Sequence, residues 1–183
     1  MSKLRTLLIL LLLAWLPVLA QDEPNLTKDG LEDFYLGQLP PESSRNPALS
    51  YQRFLRKQTR EGSPEEIAYL DISFQHHVIA QAILDPDGTI REIVVSAPGV
   101  YHEHGFAVGL TWEDVQRVTP NAEVFYTYVS DRIVVDHVDE GNTQLLFTKS
   151  DYIGSRRLEG EHQKLGLDDI RPRAVVRSMR TFK

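Results

Sequence analysis

The sequence predicts an α+β domain, a mostly antiparallel sheet made of a hairpin and a meander with one or two short helices packed on it. Three observations predict it. Two apolar, β-branched runs, Val78–Leu84 and Thr89–Ser96, flank Asp85-Pro86-Asp87-Gly88, a strong turn, and so read as hairpin arms. Three further short runs, Ala122–Val129, Ile133–Val138 and Thr143–Thr148, are separated by turns at Asp131 and at Glu140-Gly141-Asn142, the pattern of a meander. Between these groups lies Gly105–Val118, a strand–turn–helix corner. In it the apolar strand Phe106–Val108 ends at Gly109, Thr111 stands where a helix N-cap belongs, and Asp114 follows three residues on, with Glu113 in the first turn. Trp112, Val115 and Val118 then form the face expected to pack on the sheet.

Taken in order, the chain begins with a targeting pattern. Lys3 and Arg5 precede an apolar run, Leu7–Leu16; Pro17 breaks it, and Val18-Leu19-Ala20 puts small residues at −3 and −1 before Gln21. This is the layout of a secretory signal peptide over residues 1–20, cleaved after Ala20. The apolar run is shorter than the ~20 residues of a spanning helix, so no stable membrane anchor is expected. There is no cysteine, hence neither a disulfide framework nor a lipid-bearing Cys at the end of the signal. Export without disulfides fits a bacterial periplasm. Asn25-Leu26-Thr27 matches a glycosylation acceptor that matters only in a eukaryotic host. The formal net charge is −6, and loss of Lys3 and Arg5 makes the mature chain more acidic still. An acidic chain argues against nucleic acid and anionic membrane as partners.

Residues 21–64 read as a lead-in segment. It is rich in Pro, Asp, Glu and Ser, with a helical turn around Leu31–Leu36 and a helix over Pro47–Arg60. Ser50 caps that helix, Tyr51, Phe54 and Leu55 make an i, i+3, i+4 face, and Arg53, Arg56, Lys57 and Arg60 lie elsewhere, read as a solvated surface in preference to a binding face. Gly62-Ser63-Pro64 ends this unit, and the main domain is placed at 65–183, starting with the partly alternating run Ile67–Phe74. After the meander, Ser150–Ile170 is polar and weakly periodic, the longest interior stretch without a clear element and therefore either a functional loop or merely a mobile one. Asp168-Asp169 suits the cap of a last turn, and Arg173–Phe182 alternates as a closing strand.

Asp-Gly-Thr-Ile-Arg-Glu-Ile-Val-Val-Ser (87–96), Gly-Phe-Ala-Val-Gly-Leu-Thr-Trp-Glu-Asp-Val (105–115), the meander and Leu-Asp-Asp-Ile (167–170) before a final basic-apolar strand recur in one order. Over roughly residues 65–183 this resembles the small envelope domain of a sigma-E-regulated bacterial lipoprotein family of unknown function. The resemblance implies an α+β envelope domain with no established activity and no catalytic residues to carry over. The chain departs from that family in lacking the lipidated Cys, which favours a soluble periplasmic form.

The sharpest chemical candidate is Tyr101-His102-Glu103-His104. On an extended segment His102 and His104 point to one side and suit chelation of one metal, with His76-His77 or His137 as further imidazoles, whereas Glu103 points the other way. The competing reading is a polar loop with solvated or hydrogen-bonded histidines. A hydrolase would need a Ser or Thr nucleophile, and no Gly-x-Ser-x-Gly elbow is present. Glu65-Glu66, Glu113-Asp114 and Asp168-Asp169 each sit where a helix start wants negative charge, and Gly105-x-x-x-Gly109 lacks the Lys of a phosphate loop. Phe125, Tyr126, Tyr128 and Trp112 read as core or as the lining of an apolar pocket. The expected function is therefore a non-catalytic envelope accessory or binding module, without a cofactor, for an unknown envelope protein or small ligand. Its surface is expected at Pro98–His104 and Ser150–Ile170, and the alternative is a periplasmic metal-binding protein using His102 and His104.

Overall fold

The structure, a computed structural model, describes residues 23–60, 63–136, 138 and 142–183. The expected signal peptide, His137 and most of the turn at 140–142 lie outside the described residues. Thirteen strands and one α-helix are present among those described. The strands are β1 (Asn25–Thr27), β2 (Gly30–Leu31), β3 (Phe34–Tyr35), β4 (Leu49–Arg60), β5 (Ser63–Phe74), β6 (His77–Leu84), β7 (Ile90–Val95) and β8 (Tyr101–His102), then β9 (Glu123–Thr127), β10 (Arg132–Asp136), β11 (Thr143–Thr148), β12 (Gln163–Lys164) and β13 (Ser178–Phe182). The helix, α1 (Trp112–Val118), has seven residues.

The α+β expectation is thus corrected: the protein is mostly β, with a nine-stranded antiparallel sheet in the order β12-β9-β10-β11-β13-β7-β6-β5-β4 and a four-stranded sheet in the order β3-β2-β1-β8. The segment expected as a helix over Pro47–Arg60 is β4, paired along all twelve of its residues with β5. Tyr51, Phe54 and Leu55 satisfy a helical spacing, but they equally split between the two faces of a strand. Phe54 lies opposite Tyr69 with its ring stacked at 5.6 Å, while Tyr51 meets the Phe34 ring edge-on at 5.6 Å and donates its hydroxyl to the Pro41 carbonyl. One cross-strand aromatic pair, Phe54 with Tyr69, and one contact between the sheets, Tyr51 with Phe34, hold this segment as a strand against its helical spacing. The turn expected at Leu31–Leu36 is likewise β2 and β3. Leu26, Leu31 and Phe34 from this lead-in are fully buried and belong to the same core as the large sheet. β3 passes so close to β2 at Gly30 (φ 149°), which lies opposite Tyr35, that a Cβ there would meet the Phe34 carbonyl.

The core lies on the face of the large sheet built from Ile72, Ala80, Ala82, Ile93, Val95, Val124, Tyr126, Ile133, Val135, Leu145, Phe147 and Met179. Strands β10 and β11 are buried on both faces. Helix α1 covers the core face of β11, with Trp112 meeting Phe147 edge-on at 5.7 Å. Trp112 and Val115 are buried but Val118 is 53% exposed, so the expected third contact of α1 is absent. Six residues at 3.6 per turn carry Val118 about 120° away from Trp112 around the axis. The helix start is closed by the chain itself. Thr111 and Asp114 form a capping box, the Trp112 and Glu113 amides donate to the carbonyls of Ala174 and Pro172, and Gly109 and Val176 are bonded through Gly109 N to Val176 O and Val176 N to Leu110 O.

Trp112 also ties this corner to the long segment after β11, because its indole N–H donates to the Leu167 carbonyl at 3.0 Å. Trp112→Phe is expected to destabilise the fold by about 2–4 kcal/mol, from a cavity and an orphaned carbonyl. Val118→Ala is expected to cost under about 0.5 kcal/mol. Urea unfolding of both variants checks the contrast.

Candidate functional site

The histidine loop is built as a tight turn. Tyr101 and His102 pair in parallel with Asn25 and Leu26, the His102 amide donates to the Phe106 carbonyl, and the Gly105 amide donates back to the His102 carbonyl. Two of the residues expected to face solvent or metal are therefore set differently. His102 is only 2% exposed, its ring lies 5.7 Å from Phe106, and its Nδ1 accepts the His104 amide at 3.2 Å. His104 is exposed, with its ring centroid 5.3 Å from that of His102. Glu103 points to the β1–β2 turn, where its carboxylate accepts the Lys28 amide. Among the described residues, no group of three or more His, Asp or Glu side chains has the geometry to hold a metal ion. His76 and His77 are exposed at the β5–β6 turn, with His76 in the left-handed region at φ 70°.

A different place gathers polar and aromatic groups. The β9–β10 turn, residues 128–131, stands beside the start of the long segment. Its Asp131 (φ 52°) holds a left-handed conformation that Asp tolerates better than most residues. The carboxylate of Asp131 accepts the Tyr126 hydroxyl at 2.5 Å and the Lys149 ammonium at 3.0 Å, and Lys149 Nζ also lies 5.2 Å from the centre of the Tyr126 ring. The phenol donated by Tyr126 and the Lys149 ammonium hold the Asp131 carboxyl below its ordinary range. The same carboxylate raises the Tyr126 phenol and the Lys149 ammonium above theirs. Each group is thus pushed further into the charge state it already has at neutral pH. A general acid or base needs a pKa moved toward the working pH; these three move away from it, as a structural ion-pair network does.

Next to this triad is an open cleft of about 810 Å³ lined by Tyr128, Lys149, Tyr152, Arg156, Arg157, Leu158, Glu159 and Gly160. The long segment that walls it is not loose. A 3₁₀ turn at Lys149–Asp151 starts it, with Asp151 accepting the Thr148 amide and hydroxyl. Ile153 N donates to Asp169 O, Arg171 N to Asp151 O and Leu165 N to Val124 O. Gln163 clamps the bend internally, accepting the Glu159 amide at 2.8 Å and donating to the Arg157 carbonyl. Gly154 leaves no room for a Cβ against the Tyr152 ring and the Asp169 carboxylate.

Every cation of the cleft has a carboxylate partner: Lys149 with Asp131, Arg156 with Asp169, and Arg157 with Glu159. What the cleft presents unpaired is apolar and aromatic. Tyr128 is 68% exposed, and Tyr152 and Leu158 are half-buried. Sequence reasoning singled out Ser150–Ile170 as a candidate functional loop, and that segment does wall the cleft. It missed the triad, because Tyr126, Asp131 and Lys149 come from three elements and only the β9–β10–β11 register brings Lys149 back to the turn.

Two outcomes follow. Asp131's depressed pKa contributes stability that is present above its ordinary value of about 3.9 and lost as pH falls through the lower folded value. The raised Tyr126 and Lys149 contribute stability that is present below about 10 and lost as pH rises through their folded values. Asp131→Asn keeps the left-handed turn and removes the charge; ultraviolet titration is expected to show one tyrosine ionising at lower pH than in the parent. For the histidine loop, calorimetry with zinc or copper is expected to give no binding tighter than about micromolar, roughly −8 kcal/mol, since His102 is buried with its Nδ1 engaged.

Neither a protein-family model nor a curated protein matches the chain. Its fold is similar to the crystal structure of the uncharacterised protein yfeY from Escherichia coli, with a TM-score of 0.53 and 11% identity, covering 87% of this chain and 99% of that one. At that identity the likeness shows a shared fold, and the neighbour's own function is unknown.

Proposed function

We propose that this chain is a non-catalytic binding module of the bacterial cell envelope, exported by its N-terminal signal and released after Ala20. We further propose that it works through the cleft between the β9–β10 turn and the segment after β11. The export pattern at the N-terminus supports the location, as does the resemblance of residues 65–183 to an envelope lipoprotein family. The similar fold of an uncharacterised E. coli protein is compatible with it.

The observation that carries the binding reading is the lining of the cleft. Its cations are each matched by a carboxylate, so the cavity offers no uncompensated charge to an anion. Its free surface is the face of Tyr128, the ring of Tyr152 and the side chain of Leu158. Such a lining suits an uncharged ligand with an apolar ring face, held by stacking on tyrosine and oriented by the rim of paired guanidiniums. A pyranose sugar is the envelope chemistry that matches: one face of C–H groups, one edge of hydroxyls. The non-catalytic reading rests on the triad, whose shifts lead away from acid–base readiness at neutral pH.

Titration with short neutral oligosaccharides, followed by amide chemical shifts, is expected to move the signals of residues 128–131 and 149–160. Tyr128→Ala is expected to weaken binding roughly tenfold, about 1.4 kcal/mol, with an unchanged unfolding midpoint because Tyr128 is exposed. Shifts confined to other surfaces, or full affinity in the alanine variant, would remove the cleft from the reading.

A further inference from the structure

We propose that the outer edge of β4 is a docking strand for an extended acidic segment of a partner protein, which adds to the nine-stranded sheet as a tenth strand. β4 ends the sheet order. Its inner side is bonded to β5 from Leu49 to Arg60 without a register shift, and no described backbone group bonds to its outer side between Ser50 and Arg60. Alternate N–H and C=O groups therefore point outward along twelve residues. Natural edges this long are blunted by a bulge, a proline, a cover or charged side chains; β4 has no proline, its pairing carries no bulge, and its charges are all cations, which deter a basic strand but not an acidic one.

The far half of the β4–β5 hairpin adds a second reason. β6 pairs with β5 only as far as Tyr69, so beyond that point the ribbon is two strands wide, and Leu55 on it is 62% exposed. A two-stranded ribbon is marginal in water, and a third strand supports it.

Charge selects the occupant. Leu49–Arg60 carries Arg53, Arg56, Lys57 and Arg60 and no acidic residue, in a chain of net charge −6. Lys57 is 3.7 Å from Glu66, whereas Arg56 lies over the rings of Phe54 and Tyr69, and among the described residues neither Arg53 nor Arg56 forms an ion pair. A second copy pairing antiparallel through β4 would set cation rows against each other, which destabilises a ladder. An extended chain with Glu or Asp at alternate positions carries its carboxylates on one face and meets the cations of that face favourably, Arg53 and Lys57 on one side or Arg56 on the other. Nucleic acid and lipid are acidic as well, but they offer no ladder of amide donors and carbonyl acceptors to the outward main chain, which is what strand addition uses. Beside Arg53 and Leu55, a groove of about 310 Å³ lined also by Ala68 and Leu84, and by the carboxylates of Glu65, Glu66 and Asp85, is placed to take one uncharged side chain of the added strand.

The test uses the purified protein and a synthetic peptide of β4's length that alternates Glu and Val, its Lys–Val counterpart, and the Glu–Val peptide with alternate amides N-methylated. The acidic peptide is expected to bind roughly tenfold or more tightly than the basic one and to slow hydrogen exchange of alternate amides over residues 50–57. N-methylation is expected to abolish binding, and the double reversal R53E/R56E to invert the preference. Equal binding of the acidic and basic peptides, undiminished binding of the N-methylated one, or protection elsewhere than β4 would overturn the proposal. So would a peptide-free protein that is dimeric with its β4 amides already protected, which would assign the edge to a second copy.

Discussion

One side chain joins the three parts that this fold has to hold together. Trp112 is the largest fully buried residue, placed at the first position of α1 by the Thr111–Asp114 cap. Its ring fills the space over Phe147 on the core face of the sheet, its backbone amide is tied to the C-terminal segment at Ala174, and its indole N–H holds the Leu167 carbonyl of the segment that walls the cleft. A large antiparallel sheet with one apolar face needs a cover, and a helix of seven residues is too short to be stable by itself. It persists because its ends and its inner face are satisfied by other parts of the chain. The cleft's geometry is inherited from that arrangement: if Leu167 moves, the wall formed by residues 152–160 loses its attachment to the core.

The same economy governs the charged groups. Asp114 and Asp87 are both held in their ionised form below the ordinary range, by Thr111 and by Thr89 respectively, which makes each a backbone-shaping group. Asp131 does the same for the β9–β10 turn, with Tyr126 and Lys149 as partners. On the sheet face away from the core, Gln144 donates to Asp136 and accepts from Arg180, which reaches toward Glu92, a cross-strand polar ladder running over β10, β11, β13 and β7. Carboxylates in this protein are placed to fix turns, caps and strand register. Asp87, Asp114 and Asp131, held below the ordinary carboxylate range, stay ionised near neutral pH, and the surfaces proposed for function are apolar and aromatic in the cleft and basic along β4.

Much of the β architecture is written locally. The turn Asp85–Gly88 and the alternation on either side of it define β6 and β7, and the short runs after Pro120 define β9, β10 and β11, because turn chemistry and period-two patterning act over a few residues. The capping box at Thr111 is equally local. What misled was the first part of the chain. Over residues 49–60, Tyr51, Phe54 and Leu55 fit a helical face as well as a strand. The deciding contacts are non-local: Tyr69 stacks on Phe54 from β5, and Phe34 meets Tyr51 from the lead-in. Two-residue strands such as β2, β3, β8 and β12 carry too few residues to show any period. The burial of His102 was not legible, because spacing reports the direction of a side chain and not its burial. Phe106 and the β1–β8 pairing, which seal it, belong to tertiary structure.

Where a backbone is shared at 11% identity, what the two proteins have in common is the demand of the sheet for buried faces and closed ends. Neither the Tyr126–Asp131–Lys149 network nor the cation row on β4 is required by that demand. An isolated nonpolar residue at Lys149 would leave the β9–β10 register intact, and Thr or Val in place of Arg53 and Arg56 would keep the β4–β5 pairing, although charge on an edge also deters unwanted pairing. Features that the fold does not need, yet that sit together at a cleft or an edge, are where this chain's own chemistry is to be sought, since function is carried by sites set on a fold and not by the fold. The neutralised lining of the cleft and the un-neutralised cations of β4 then describe two surfaces of opposite preference on one scaffold. On the proposed readings, one excludes charge by pairing its own, and the other selects acidic partners through Arg53 and Arg56, which form no ion pair among the described residues.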